Sequence, residues 1–140
     1  MSANYEQLKQ LQKRIEALEK YDIDTFVRQA TNEIAQRLYA KVVKRTPVGQ
    51  YPKGSGKVGG TLRKGWRMTQ VKQVADGYEV QVINPTEYAS YVEYGHRTRG
   101  GGGWVEGRFF LTKSELEIEQ DMPKIIERKL IKFLQEKLGL

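Results

Sequence analysis

The spacing of apolar residues changes twice along this chain, and that change limits the fold more than any single residue does. Over residues 4–21, Tyr5, Leu8, Leu11, Ile15, Leu18 and Tyr21 recur every three or four positions among Lys, Arg and Glu. This is the period of an amphipathic helix. The pattern approaches a heptad seam but is too short for an autonomous coiled coil, so the helix is expected to pack on the domain or on a neighbouring copy. The stretch "YDID" interrupts it, and Asp24 is placed to cap a second helix running to about Arg45, with Val27, Ala30, Ile34, Leu38 and Val42 inward. Pro47 ends that helix. From Leu62 the period falls to two. "GWRMTQVKQV" alternates, with Trp66 and Met68 inward and Val71 or Val74 following after a shift. Asp76-Gly77 signals a hairpin turn, and "YEVQVIN" returns with Tyr78, Val80 and Val82 on one face until Pro85. "PTEYASYVEYG" reads as a short helix or turn, and residues 105–111 as a further strand. The last third is helical again. Thr112 and Glu115 fit a capping box, and Asp121 with Pro123 fits a second start. The stripe that follows is Met122, Ile126, Leu130, Phe133 or Leu134, and Leu138, with Gly139 as terminator. Helix, helix, strands, helix is an α+β order: a small antiparallel sheet packed against N-terminal and C-terminal helices.

The chain has 140 residues, which suits one domain. Residues 1–22 read as an amphipathic extension and residues 23–138 as the α+β body, with flexible loops near 48–61 and 95–104. There is no cysteine, so disulfides and thiolate metal sites are excluded and a reducing compartment is compatible. The N-terminal residues are polar and lack the apolar stretch of a secretory signal. No apolar run approaches the ~18–20 residues of a membrane span, so no membrane partner is expected. The expected place of manufacture is a cytoplasm, with export only as part of a larger particle.

The net charge of +7 is unevenly spread. No acidic residue lies between Glu33 and Asp76, while ten basic ones do: Arg37, Lys41, Lys44, Arg45, Lys53, Lys57, Arg63, Lys64, Arg67 and Lys72. Such a block attracts nucleic acid or an acidic protein surface, unless it is only a solvated face.

Within that block, Gly54-Ser55-Gly56-Lys57-Val58-Gly59 satisfies the glycine pattern of dinucleotide-binding folds. Those glycines matter only between a strand and a helix whose N-terminus faces a pyrophosphate. Here a proline turn precedes and the β-like "TLRKGW" follows, so a flexible loop is the better reading. A P-loop fails as well, because Val58 stands where Ser or Thr is required. His96 is the sole histidine, which rules out a multi-histidine metal site and any Cys–His dyad. Most carboxylates lie at helical spacings suited to solvated faces, and Glu87 and Glu93 read as partners for nearby arginines. No catalytic residue, metal or cofactor is expected. Tyr88, Tyr91 and Tyr94, with Trp66 and Trp104, suit either base stacking or packing at an interface, and the interface reading is preferred.

Two longer segments carry a resemblance. Thr46-Pro47-Val48, a glycine linker, Gly60-Thr61-Leu62-Arg63 and Trp66 resemble the "TPV" and "G-x-L-R-x-x-W" elements of tailed-phage tail-completion and minor tail proteins. Downstream, "EYASYVEYGHRTRGGGGWVEGRFFLTKS" resembles the same family's "Y-A-x-Y-V-E-x-G", an exposed loop and an aromatic segment entering the last helix. The likeness spans roughly residues 24–138, and the glycine linker and the "RTRGGGG" loop depart from it by being long and basic. The resemblance implies an α+β structural protein of the tail neck, a tail-completion, terminator or head–tail joining component. It implies that the protein is assembled in a bacterial host and works as a ring, for which a hexamer is one candidate. Its partners would be itself, the tail tube, the head-side connector and, non-specifically, DNA in the lumen.

The residues agree with an assembly role. A cyclic ring joins one surface to a different surface on the next copy, and glycine-rich loops can order at such joints. Arg63, Lys64, Arg67, Tyr88, Tyr91, Tyr94, His96, Arg97, Arg99 and Trp104 are the expected contact residues. The rival is a stand-alone basic nucleic-acid-binding module with tyrosines stacking on bases, whose affinity would fall steeply with salt.

Overall fold

The computed structural model describes residues 2–139; Met1 and Leu140, which bound the expected domain, lie outside them. The fold is α+β, and its axis is helix α2 (Lys20–Arg45), which follows helix α1 (Ser2–Glu16). The start of α2 is a capping box in which Glu19 and Asp22 exchange side-chain and main-chain hydrogen bonds. The expected cap at Asp24 is thereby moved five residues upstream, to Glu19, because a reciprocal pair of caps outcompetes a single one. Leu18 falls in the short link and Tyr21 in α2, so neither extends α1.

A single long helix, α5 (Phe110–Leu138), runs antiparallel to α2. The pairings step in register from end to end. Lys137 Nζ lies 3.0 Å from Asp22, the Phe26 and Phe133 rings are 4.8 Å apart, and Lys129 Nζ lies 2.8 Å from Glu33. Further on, Glu117 accepts from both Lys41 and Arg45, and Arg45 also donates to Ser114 Oγ at 3.1 Å. The expected break at Asp121 does not occur, and Pro123 sits inside the helix. An interior proline costs about 3 kcal/mol, but Glu117 before it and Lys129 after it are both tied to α2, which holds the two halves in one line. That continuity also resets the buried face to Phe110, Ser114, Ile118, Ile125 and Leu138, and leaves Ile126 and Leu130 exposed. At the far end, Arg14 of α1 donates to the Leu138 carbonyl at 2.6 Å, satisfying an end-of-helix acceptor.

Between α2 and α5 the chain forms one turn of helix, α3 (Thr61–Lys64), and an interrupted hairpin. Strand β1 (Arg67–Met68) pairs with β4 (Val82–Ile83), and β2 (Lys72–Val74) with β3 (Gly77–Glu79), all antiparallel. Met68 faces Val82 and Lys72 faces Glu79, so the outgoing strand carries one more residue than the returning one between these pairs. Thr69 spans the bulge: its N–H donates to Gln81 O and its hydroxyl accepts from Gln81 N–H. This is the shift the alternation of Trp66, Met68, Val71 and Val74 implied. Tyr78, Val80 and Val82 are half-buried while Glu79, Gln81 and Ile83 face out, as the period of two requires. A second short hairpin pairs β5 (Gly95–Arg97) with β6 (Trp104–Glu106). The expected loop near 95–104 is therefore a loop only at 98–103, and the expected strand at 105–111 stops at Glu106 because α5 has begun by Phe110.

Three junctions hold these pieces together. First, Thr46 is fully buried just beyond α2; its hydroxyl accepts the Trp66 indole N–H at 2.7 Å and donates back to Val42 O. Trp66 stands edge-on to Phe110 at 5.8 Å, and with Val42 and Leu62 these make the core cluster. Second, Asn84 Nδ2 donates to Leu62 O at 2.7 Å, tying the end of β4 to α3. A Cβ at Gly65 would sit 2.6 Å from both Asn84 Oδ1 and Thr86 Oγ1, so this crossing needs glycine. Third, Glu93 on helix α4 (Ala89–Tyr94) is buried and caps α5 from outside. It accepts from Leu111 N–H at 2.9 Å, Thr112 N–H at 2.8 Å and the Thr112 hydroxyl at 2.6 Å. The expected Thr112–Glu115 capping box and the expected Glu93–arginine pair are both replaced by this contact. A carboxylate beside free helix N–H groups gains from the helix dipole as well as from the hydrogen bonds.

Two outcomes are expected. Glu93→Ala leaves the first turn of α5 unpaired in a buried site and should cost about 2–3 kcal/mol, seen as a lower midpoint in thermal denaturation, whereas an unchanged midpoint would contradict the cap. The second concerns acid. Asp22 is held below the usual carboxylate range chiefly by its bond to Lys137, and Glu117 chiefly by Arg45 and then Lys41. Depressed folded values stabilise above the unfolded pKa and are lost as pH falls through them. Glu115 has the opposite sign, since burial raises it and acidification relieves that burden. Thermal stability should therefore drop between about pH 5 and pH 2, and the drop should be smaller in Glu117→Gln; equal acid slopes would contradict the pairing.

Candidate assembly interface

Folding redistributes the acid-free basic block. Glu117, remote in sequence, neutralises Lys41 and Arg45, and Glu33 lies 4.0 Å from Arg37. Arg63 is turned inward: Nε and Nη2 donate to Thr46 O at 3.1 and 2.7 Å, and Nη2 also reaches Lys44 O at 3.3 Å. It closes the C-terminal end of α2, where a cation suits the helix dipole. Arg67 folds back on its own turn, Nη1 donating to Lys64 O and Trp66 O. Lys64 is exposed beside them. The basic block is thus partly internal scaffolding, and what remains for a partner is mainly Lys44, Lys64, Lys72 and the lysines of the glycine loop.

The other expected residues do converge. Tyr88 at the N-cap of α4 is followed at every third residue by Tyr91 and Tyr94, which are 58% and 61% exposed. The β5–β6 hairpin lies directly against this helix. The Tyr91 and His96 rings are 5.9 Å apart, and a Cβ at Gly95 would come within 2.9 Å of the Trp104 ring and 2.5 Å of Val105 O. Gly95 has φ of +90°, and this close crossing keeps the aromatics of α4 and β6 on adjoining ground. Trp104 is 56% exposed, and Val105 and Phe109 add further exposed apolar surface that the sequence reading passed over. Val105 and Phe109 fall in the strand expected at 105–111, for which no inward or outward face was assigned. Arg97, opposite Trp104 in the ladder, and Arg99 in the turn are exposed and make no ion pair among the described residues. The His96 Nδ1 is buried without a hydrogen-bond partner there. Large aromatic area, exposed and edged by arginine, has the composition of a protein–protein contact.

The glycine-rich stretch is pinned at its neck. A Cβ at Gly59 would overlap Gly49 O, so the two strands of the loop meet backbone to backbone there, leaving residues 50–58 exposed. Beneath lies a cavity of about 290 Å³ lined in part by Tyr51, Leu62, Tyr88 and Arg108. The helix that directly follows the glycines is the four-residue α3, so the strand–glycine–helix geometry that cradles a pyrophosphate is lacking among the described residues.

Comparison with known families decides the class. Residues 9–95, more than half of the chain, match the HK97-gp10-like family, described as "Bacteriophage HK97-gp10, putative tail-component". The chain belongs to this family. The HK97-gp10-like match begins within α1 and runs to Gly95, so it includes both the "TPV…G-x-L-R-x-x-W" stretch and the "Y-A-x-Y-V-E-x-G" of α4. It stops before the arginine-glycine turn, β6 and α5, which the resemblance had included. No curated protein and no solved structure matches the chain. As a bacteriophage tail component the protein belongs with the virion.

The different uses of the arginines give a direct comparison. Arg63→Ala should lower the thermal midpoint by the equivalent of about 1–3 kcal/mol, because two main-chain carbonyls at the end of α2 lose their donor. The double variant Arg97→Ala/Arg99→Ala should melt within error of the parent. The reverse ranking would show that Arg63 is a surface residue.

Proposed function

We propose that the protein is a structural component of the head-proximal end of a phage tail, acting in tail completion or head–tail joining as a subunit of a ring. The reading rests on family membership together with one observation: the exposed aromatic ground formed by Tyr88, Tyr91, Tyr94 and Trp104, bordered by Arg97 and Arg99. A chain that bears so much unburied aromatic area is built to be covered, and a patch of this kind commonly marks an interaction site. The protein works by contact and transforms no substrate. Its partners are further copies of itself, the tail tube and the head-side connector. The lysines of the glycine loop suit a second, electrostatic contact with acidic subunits or with DNA in the lumen.

Two experiments test this. Gold-labelled antibody against the protein should mark the head-proximal end of intact particles in electron micrographs; labelling at the distal tip would overturn the position. In complementation, Arg97→Ala/Arg99→Ala should give folded protein that fails to join heads to tails, lowering the yield of infectious particles by at least about tenfold, as expected when arginines at an interface are truncated. Normal yields would remove those two residues from the contact.

A further inference from the structure

Glu117 and Glu33 pair with Lys41, Arg45 and Arg37, but a second group of cations is left around the neck of the glycine loop. Lys53 and Lys57 stand on the exposed loop itself, with Lys57 Nζ over the Tyr51 ring at 5.6 Å. Lys64 of α3 reaches the neck: a Cβ on Gly60 would lie 3.9 Å from Lys64 Cε, and Arg67 donates to the Lys64 carbonyl. Arg108, just after β6, lines the cavity beneath the loop together with Tyr51. None of these cations makes an ion pair among the described residues. No carboxylate among the described residues lines that cavity. On the neighbouring α4 segment, Glu93 is buried and engaged by the start of α5, while Glu87 beside Tyr88 is exposed. The field at the loop is therefore positive.

Two features say what such a surface meets. The first is composition. The centre of a protein–protein contact is enriched in aromatics and arginine and depleted in lysine. That describes the ground around Tyr91 and Trp104. At the loop, Tyr51 and Tyr88 border the cavity, but Lys53, Lys57 and Lys64 carry most of the free charge. Arg63 and Arg67 donate to main-chain carbonyls, so they add field more than directed bonding. The second is shape. Gly54 and Gly56 have φ of +82° and +75°, and a Cβ on either would meet nothing within 4 Å. The tip thus presents main chain and long side chains in open space, without a moulded surface. Lysines act as point charges, and point charges on such a loop suit a partner of dense, repeating charge that asks for no fixed shape. The sugar-phosphate backbone of DNA is that partner.

We propose that the glycine loop is a DNA-backbone contact, in which Lys53, Lys57 and Lys64, with Arg108 beside them, engage the phosphates of duplex DNA without reading its sequence. This deepens the reading of the chain as a tail component and rests on it, since a subunit around the tail channel meets the DNA that passes through.

The test uses the purified full-length protein and the fluorescence anisotropy of a labelled duplex of about 20 base pairs, titrated between about 50 and 200 mM salt. Phosphate contacts from those four side chains predict a slope of log affinity against log salt of about −3 to −4. Lys53→Gln/Lys57→Gln should make that slope shallower by about 2 and weaken binding by about tenfold or more at the lowest salt, with helical content and melting temperature as in the parent. Lys124→Gln/Lys132→Gln removes the same charge from exposed positions on α5 and should leave the slope unchanged. Absence of duplex binding at the lowest salt, or an equal change of slope in the α5 control, would overturn the proposal. Displacement of the duplex by polyglutamate as readily as by unlabelled duplex would overturn it in favour of an acidic protein partner. The outcome is separable from that of particle labelling: lost duplex binding with the label at the head-proximal end removes the loop contact alone, and retained binding with the label at the distal tip removes the position alone.

Discussion

The carbonyls at the C-terminal end of α2 are the constraint on which the fold turns. A helix end exposes acceptors that must be met, and here one residue organises the response. Thr46 is fully buried, takes the Trp66 indole N–H on its hydroxyl and offers its carbonyl to Arg63. Those bonds fix α3 and the root of the hairpin against α2. Trp66 in turn meets Phe110, the first residue of α5, whose own start is closed by Glu93 of α4. These polar closures and the Trp66–Phe110 contact connect α2, α3, the root of the hairpin, α4 and α5, and the small apolar cluster of Val42, Leu62, Trp66 and Phe110 sits at their centre. Buried polar groups of this kind specify an arrangement because each is costly when left unpaired.

A core so small leaves much apolar area outside, and its distribution is informative. One share is the aromatic ground on α4 and β6, another is the stripe of α1, and a third is the open groove over α2. None of these is completed within the chain. A tail component gains from this economy, because subunits that finish their packing only on assembly couple their own ordering to the growth of the particle. The basic loop has a glycine-pinned neck and an exposed tip.

Much of the fold was legible from period alone. The α+β order, the end of α2 at Arg45, the hairpin turn near Asp76 and the inward set Tyr78, Val80 and Val82 follow from patterns that local geometry enforces. What the sequence concealed were contacts between residues far apart in the chain. Glu93 looked like an arginine partner because nothing nearby in sequence reveals the α5 start that it caps. Asp121 and Pro123 looked like a new helix start because the α2 contacts that override the proline lie about 90 positions away, as tertiary packing commonly overrides local propensity. The basic block looked like open surface because Glu117 arrives from another helix. Of the expected contact residues, the aromatics were readable as a cluster; the bonds of Arg63 to the end of α2 were not, because a cation in a glycine-rich region gives no sign that it faces a helix end.

The central claim is that the unburied faces of α1, α4 and β6 become covered when the particle forms. Hydrogen–deuterium exchange, followed residue by residue in the free protein and again in assembled tails, measures this directly. Amide protection should rise on assembly in residues 5–15 and 88–106 while the already closed junction around Thr46 and Trp66 changes little. Unchanged exchange in both of those segments, with new protection confined to other regions, would contradict it.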